Sequence, residues 1–145
     1  MENRNVQAQP SNRDPLAVPL DGVQLIEASA GTGKTYTLAT LFTRLVVERN
    51  LRIGQVLAVT FTDAATQELR KRIRARLALA AAQVKHCQEP DAAPEIALTR
   101  TILADHLARS GEAAAALENR LRLAAEETDL AVVFTIHGFC ARVLS

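Results

Sequence analysis

Tryptophan is absent, and only four Phe and one Tyr stand among 145 residues. So few aromatics disfavour an aromatic-rich β-sandwich, whereas alanine, the strongest helix former, occurs 26 times. Cysteine is scarce too. Cys87 and Cys140 lie 53 positions apart, which is neither a disulfide framework nor a metal quartet and suits a reducing compartment. Charge of one sign is missing: 17 Lys and Arg oppose 16 Asp and Glu, for a net +1. No polybasic tail exists, so contact with nucleic acid would have to come from local patches. Uninterrupted apolar stretches such as residues 130–134 fall far short of the ~20 that a membrane span needs. Residues 1–15 lack the apolar centre of a secretory signal. A soluble, cytoplasmic chain is the expectation. With 48% hydrophobic and 23% charged residues it is globular, not disordered, and its length suits one small domain or a piece of a larger protein.

Residues 1–20, polar and then broken by Pro15 and Pro19, read as an extended lead-in. Val23-Gln24-Leu25-Ile26 reads as a strand entering a glycine-rich loop. From Lys34, the apolar residues Leu38, Leu41, Phe42, Leu45 and Val46 recur with the period of an amphipathic helix that ends near Asn50. Residues 56–59 read as a second, buried strand. A second helix starts near Asp63, with Leu69, Ile73 and Leu77 on one face. Pro90 and Pro94 interrupt the chain before an alanine-rich helical stretch over about 95–127, broken at Ser110-Gly111. Residues 131–134 read as a third strand, followed by a helix from near His137 that stops without a C-cap, as expected of a truncated chain. The order β-α-β-α-α-α-β-α implies an α/β protein with a parallel sheet.

The strongest motif is Ala28-Ser29-Ala30-Gly31-Thr32-Gly33-Lys34-Thr35, a G-x-x-x-x-G-K-[ST] phosphate loop with Ala28 in the first glycine position. Gly31 and Gly33 permit backbone angles at which successive N–H groups converge on phosphate oxygens, and the following helix aims its positive end at the same anion. Lys34 is expected to reach the β- and γ-phosphates and the Thr35 hydroxyl to ligand Mg²⁺. That combination predicts a nucleoside-triphosphate site. The acid that a P-loop hydrolase needs beside its magnesium is missing: Asp129 precedes its strand, and Asp63 or Thr62 is better placed to cap the second helix.

Two further motifs sit at strand ends, where ligands gather in a parallel sheet. Thr60-Phe61-Thr62 leads into a helix whose residues 62–77 carry Arg70, Lys71, Arg72, Arg74 and Arg76 against Asp63 and Glu68. Threonine hydroxyls can bond phosphates while an aromatic ring stacks on an unpaired base, which points to single-stranded nucleic acid. For most of the arginines, composition alone favours a solvated helix face. Thr135-Ile136-His137-Gly138-Phe139-Cys140 closes the third strand. His86-Cys87 and His106 have no spacing that would bind zinc.

These three motifs, in this order, resemble those of the UvrD/Rep-type superfamily 1 DNA helicases. The likeness covers most of the chain from Asp14 onward. It is greatest to the branch acting as the helicase–nuclease subunit of a heterotrimer, because a helical insert of about 78–128 separates the second and third motifs. The resemblance implies a RecA-like domain, here incomplete, in which residues 21–145 are the N-terminal part of the ATP-binding motor. It implies ATP and Mg²⁺ as cofactors, with single strands and duplex ends of DNA and two other subunits as partners. It also implies DNA contacts at Thr60, Phe61, Thr62, His137, Gly138 and Phe139, extended to Arg70 on a looser match, and a role in recombinational repair of double-strand breaks. The upstream glutamine with which many relatives read adenine has no counterpart near Arg13-Asp14-Pro15. Two other readings stay open: a small kinase-like enzyme using Asp63 as its magnesium acid, and a non-catalytic module binding a protein through residues 95–127.

Overall fold

The computed structural model describes residues 14–26, 33–90, 92–128 and 133–144. In chain order the elements are α1 (Gly33–Glu48), β1 (Ala58–Thr60), α2 (Asp63–Gln83), α3 (Pro94–Ser110), α4 (Ala114–Glu127), β2 (Val133–Thr135) and α5 (Ile136–Leu144). Short 3₁₀ turns at Ile53–Gln55 and Val84–His86 link α1 to β1 and end α2. The protein is thus an α/β chain, mostly helical, with a small sheet of two parallel strands. The register pairs Ala58 with Val133, Val59 with Phe134 and Thr60 with Thr135.

α2 is the spine. Its buried side is built from Thr66, Leu69, Ile73, Arg76, Leu77 and Ala80, spaced three and four apart as one helical face must be. α1 packs on it through Ala39, Phe42, Val46 and Val47, and α4 through Leu117 and Leu121. These residues form one continuous core with Leu103 of α3 and Val133 of β2. Helices α3 and α4, which make up most of the expected insert, therefore share one hydrophobic core with the rest of the described residues. The insert's expected start at residue 78 falls inside α2, which runs unbroken to Gln83.

Local sequence explains the helix ends. Thr62 caps α2 by accepting a bond from the Ala65 N–H at 3.0 Å, while Asp63 is the first helical residue and complements the helix dipole there. α3 opens on Pro94 and stops at Gly111, whose φ of 68° lets its N–H turn back to the Leu107 carbonyl. The expected break at Ser110-Gly111 is where α3 ends.

Two strand expectations need correction, and a third is described only in part. Val23, Gln24 and Leu25 form no strand, and only Ile26 makes an isolated bridge. Gly22 turns left-handed at φ 72° just before them, Gln24 folds back to bond the Asp21 carbonyl, and Val23 stays 76% exposed. The second strand lies at Ala58–Thr60 and is not buried on both faces, since Leu57 and Val59 are about half exposed. β2 comprises Val133–Thr135, while residues 131 and 132 of the expected third strand lie outside the described residues.

The end of the lead-in does not run straight. Residues 15–17 form a turn closed by the Ala17 N–H on the Asp14 carbonyl, and Val18 is buried. Arg44 of α1 holds this segment by donating to the carbonyls of Pro15 and Val18 while pairing with Glu48. No helix among the described residues is long and apolar enough to cross a membrane.

Candidate nucleotide and nucleic-acid site

Of the phosphate-loop motif, Ala28, Ser29, Ala30, Gly31 and Thr32 lie outside the described residues. Gly33, Lys34 and Thr35 form the first turn of α1, with Lys34 exposed and Thr35 half-buried. The first N–H groups of a helix have no partner within it, and with the helix dipole they favour an anion at this end. A cavity of about 150 Å³ opens beside it, lined by Ile26, Lys34, Thr37 and Leu38. A lysine, a hydroxyl and a helix N-terminus are among the groups that magnesium-bound phosphates require, so the described part of the motif is chemically suited to a magnesium-bound nucleotide. Among the described residues no cluster of acids, histidines and cysteines could hold a metal ion by itself.

The second and third motifs are brought together by the sheet. Because β1 and β2 run parallel with Thr60 beside Thr135, the residues after each strand emerge at one edge. Phe61 projects there, 89% exposed. The neighbouring threonines do structural work. Thr60 Oγ1 lies 2.5 Å from Thr66 Oγ1 on α2 and 3.4 Å from the Phe134 carbonyl on β2. Thr62 Oγ1 accepts the capping bond from Ala65, which leaves its O–H able to donate outward.

Across the edge, His137 is exposed in the first turn of α5. Thr135 Oγ1 accepts from the Gly138 N–H at 3.0 Å and so tethers that turn. A Cβ at Gly138 would come within 3.1 Å of the same oxygen, so a side chain there would crowd the tether. Phe139 is half-buried against Phe134, ring centroids 6.4 Å apart, and Arg142 lies over the other aromatic partner, 5.3 Å from the Phe134 ring.

Arg70 points inward. It donates to the Val133 carbonyl at 3.0 Å, bracing β2 from α2, and its Nε is buried without a hydrogen bond. Arg76, four residues before Ala80 on the buried face of α2, is only 2% exposed. The reading of the arginines as a solvated face overlooked it, although its spacing from Ile73 and Leu69 carried the signal. Arg142 escaped notice because its contact is to an aromatic distant in the chain.

One strong electrostatic shift lies away from these motifs. The bidentate bond from Arg120 holds the Glu112 carboxyl down at about 2, with His106 adding to the effect and partial burial opposing it. Arg120 also donates to the Val46 and Val47 carbonyls, so the middle of α4 is tied to the last turn of α1.

The fold and site define a class. Residues 8–145 match the UvrD/REP helicase N-terminal domain, and the chain belongs to that family. Its relatives include the RecBCD enzyme subunit RecB of Haemophilus influenzae, 41% identical over 146 residues that cover 90% of this chain and 11% of that protein. The RecBCD enzyme subunit RecB of Escherichia coli is 42% identical over 140 residues, 91% of this chain and 11% of its own. That of Mycobacterium tuberculosis strain H37Rv is 38% identical over 129 residues, covering 88% and 11%. The chain thus spans about a tenth of the length of these relatives.

Proposed function

We propose that the chain is the N-terminal ATP-binding segment of a RecB-type, ATP-dependent DNA helicase and exonuclease subunit. The segment folds as the first part of a RecA-like P-loop motor. The single observation that carries this reading is the register of β1 and β2. It sets Phe61 and His137 at one sheet edge, while α2 ties that edge to the helix bearing Lys34 and Thr35. Lys34 and Thr35 would hold the phosphates and magnesium of ATP, and bound nucleotide would supply the energy for movement. Phe61, with Thr60 and Thr62 shaping its turn, would stack on a base of the tracking strand. His137, Gly138 and Phe139 would line the neighbouring stretch of backbone, and Arg70 would hold β2 in place beneath them.

The partners under this reading are single-stranded DNA and duplex ends, with RecC-like and RecD-like subunits in a heterotrimer that processes broken DNA for recombination. Two free thiols suit work in the cytoplasm. A kinase-like role for Asp63 draws no support from its place as the exposed first residue of α2. A separate interaction module draws none from α3 and α4, which share the common core.

The test is equilibrium titration with Mg-nucleotide together with steady-state phosphate release. The 145-residue chain is expected to bind weakly, to lose binding on Lys34→Ala, and to show essentially no turnover, since no acid among the described residues joins Thr35 at the magnesium. Turnover comparable to an intact helicase and abolished by Lys34→Ala would overturn the half-site reading. Binding indifferent to Lys34→Ala would overturn the site itself.

A further inference from the structure

Arg76 presents an energetic puzzle. Its guanidinium, a permanent cation, is 2% exposed in the middle of a hydrophobic helix face, where an apolar side chain would cost less. One directed hydrogen bond serves it, from Nη2 to Thr40 Oγ1 at 2.9 Å. Glu95 Oε1 lies 3.1 Å from Nη1, near enough to pair charge with charge but away from the N–H direction. Nη1 and Nε are therefore both buried without a hydrogen-bond partner. The flat face of the group lies over the Tyr36 ring, 5.3 Å from its centroid.

The hydrogen bond and the ring contact converge on the start of α1. Tyr36 directly follows Lys34 and Thr35, and Thr40 Oγ1 donates in turn to the Tyr36 carbonyl at 2.9 Å. The guanidinium thus grips the beginning of α1 by its ring and, through one hydroxyl, by its backbone. Glu95 stands in the first turn of α3, so the grip joins three helices: the one that follows the phosphate loop, the one that follows the Phe61 turn, and the first helix of the insert. A cation retained in a core at this cost, with its hydrogen bond and its ring contact both on the start of α1, is placed to hold that turn.

We propose that Arg76 is a positioning residue for the nucleotide site, holding the turn that carries Lys34 and Thr35 against α2 and against Glu95 of the insert. The inference rests on the nucleotide-site reading above. Arg76 touches no phosphate itself; it acts through Tyr36 and Thr40. Groups that orient binding residues from behind typically cost about tenfold or more in affinity when removed.

The protein offers its own reporter, since Tyr36 is the single tyrosine and tryptophan is absent. Magnesium tripolyphosphate, which does not absorb where tyrosine is excited, is titrated into the 145-residue chain while Tyr36 emission is followed. Mg-ADP affinity is measured by calorimetry and folding by thermal melting. Arg76→Met is expected to weaken Mg-ADP binding per folded molecule by about tenfold and to shrink the emission change. Arg76→Lys, which keeps a cation and a donor, restores part of both. Glu95→Gln, at a half-exposed carboxylate whose loss does not endanger the core, weakens binding by a smaller factor.

A lower melting temperature for Arg76→Met with unchanged affinity and emission response makes the residue structural only and overturns the proposal. If Arg76→Met does not fold, unchanged affinity in both Arg76→Lys and Glu95→Gln overturns it equally. If the wild-type chain binds no nucleotide, or Lys34→Ala binds as well as wild type, the nucleotide site itself falls and this inference with it.

Discussion

Thr60 and Thr135 stand opposite each other as the last paired residues of the two parallel strands, and each turns its hydroxyl to the helix that follows its own strand. Thr60 meets Thr66 of α2, and Thr135 meets the Gly138 N–H of α5. The matched pair sets both strand-to-helix turns at one level, so Phe61 and His137 project from neighbouring points. An exposed phenylalanine there contributes little to the core, which suits the stacking role proposed above.

Phe61→Ala is accordingly expected to weaken single-stranded DNA binding by about 1–3 kcal/mol, the worth of one base stacked on an aromatic ring. At 89% exposure its removal leaves the melting temperature unchanged. Fluorescence anisotropy with a labelled oligonucleotide, paired with a thermal melt, separates the two effects. A large loss of stability with unaltered affinity would count against the edge as a DNA surface.

The shared core makes a second expectation. Leu117 lies in the insert helix α4 and is fully buried against α2. Leu117→Ala should destabilise the chain by about 2–5 kcal/mol, and denaturant unfolding should show one transition for helix content and for nucleotide binding together. Two separated transitions would mean that the insert folds by itself.

Acid sensitivity should trace in part to Glu112. Its carboxyl is held at about 2, against an ordinary 4.5, chiefly by Arg120. A depressed folded-state value means that the carboxylate stabilises the fold above its unfolded value and loses that contribution as pH falls toward the folded one. Between about pH 4.5 and 2 the wild-type melting temperature should therefore fall more steeply than that of Glu112→Gln, which lacks this group. Parallel curves over that window would remove Glu112 from the account.

Exposed strand residues carry a final prediction. Leu57 and Val59 leave one face of β1 about half open to water, and a two-stranded sheet offers strand edges for pairing. Concentrated samples should sediment as more than monomer, and Val59→Lys should shift them back. A strictly monomeric profile at high concentration would contradict this.

Much of the protein is legible along the chain. The phosphate motif stands out because it depends on residue types at adjacent positions. The period of Leu69, Ile73 and Leu77 marks the core side of α2, and Gly111 marks the end of α3 through its own backbone freedom. These are local consequences of local chemistry. The strands were harder, since a strand's limits depend on the neighbour it pairs with. Val23 through Leu25, apolar enough for a strand, are turned out of one by Gly22 and by their exposure.

What tertiary structure alone decided is where the polar groups of α2 spend their charge and hydrogen bonds. Within one basic run, Arg72 stays at the surface pairing with Glu68, Arg70 turns in to a carbonyl of β2, and Arg76 sinks beneath Tyr36. Composition treats the three alike. Their fates differ because a guanidinium is buried only where another part of the chain brings it an acceptor, a ring or a carboxylate, and those partners are assembled by folding.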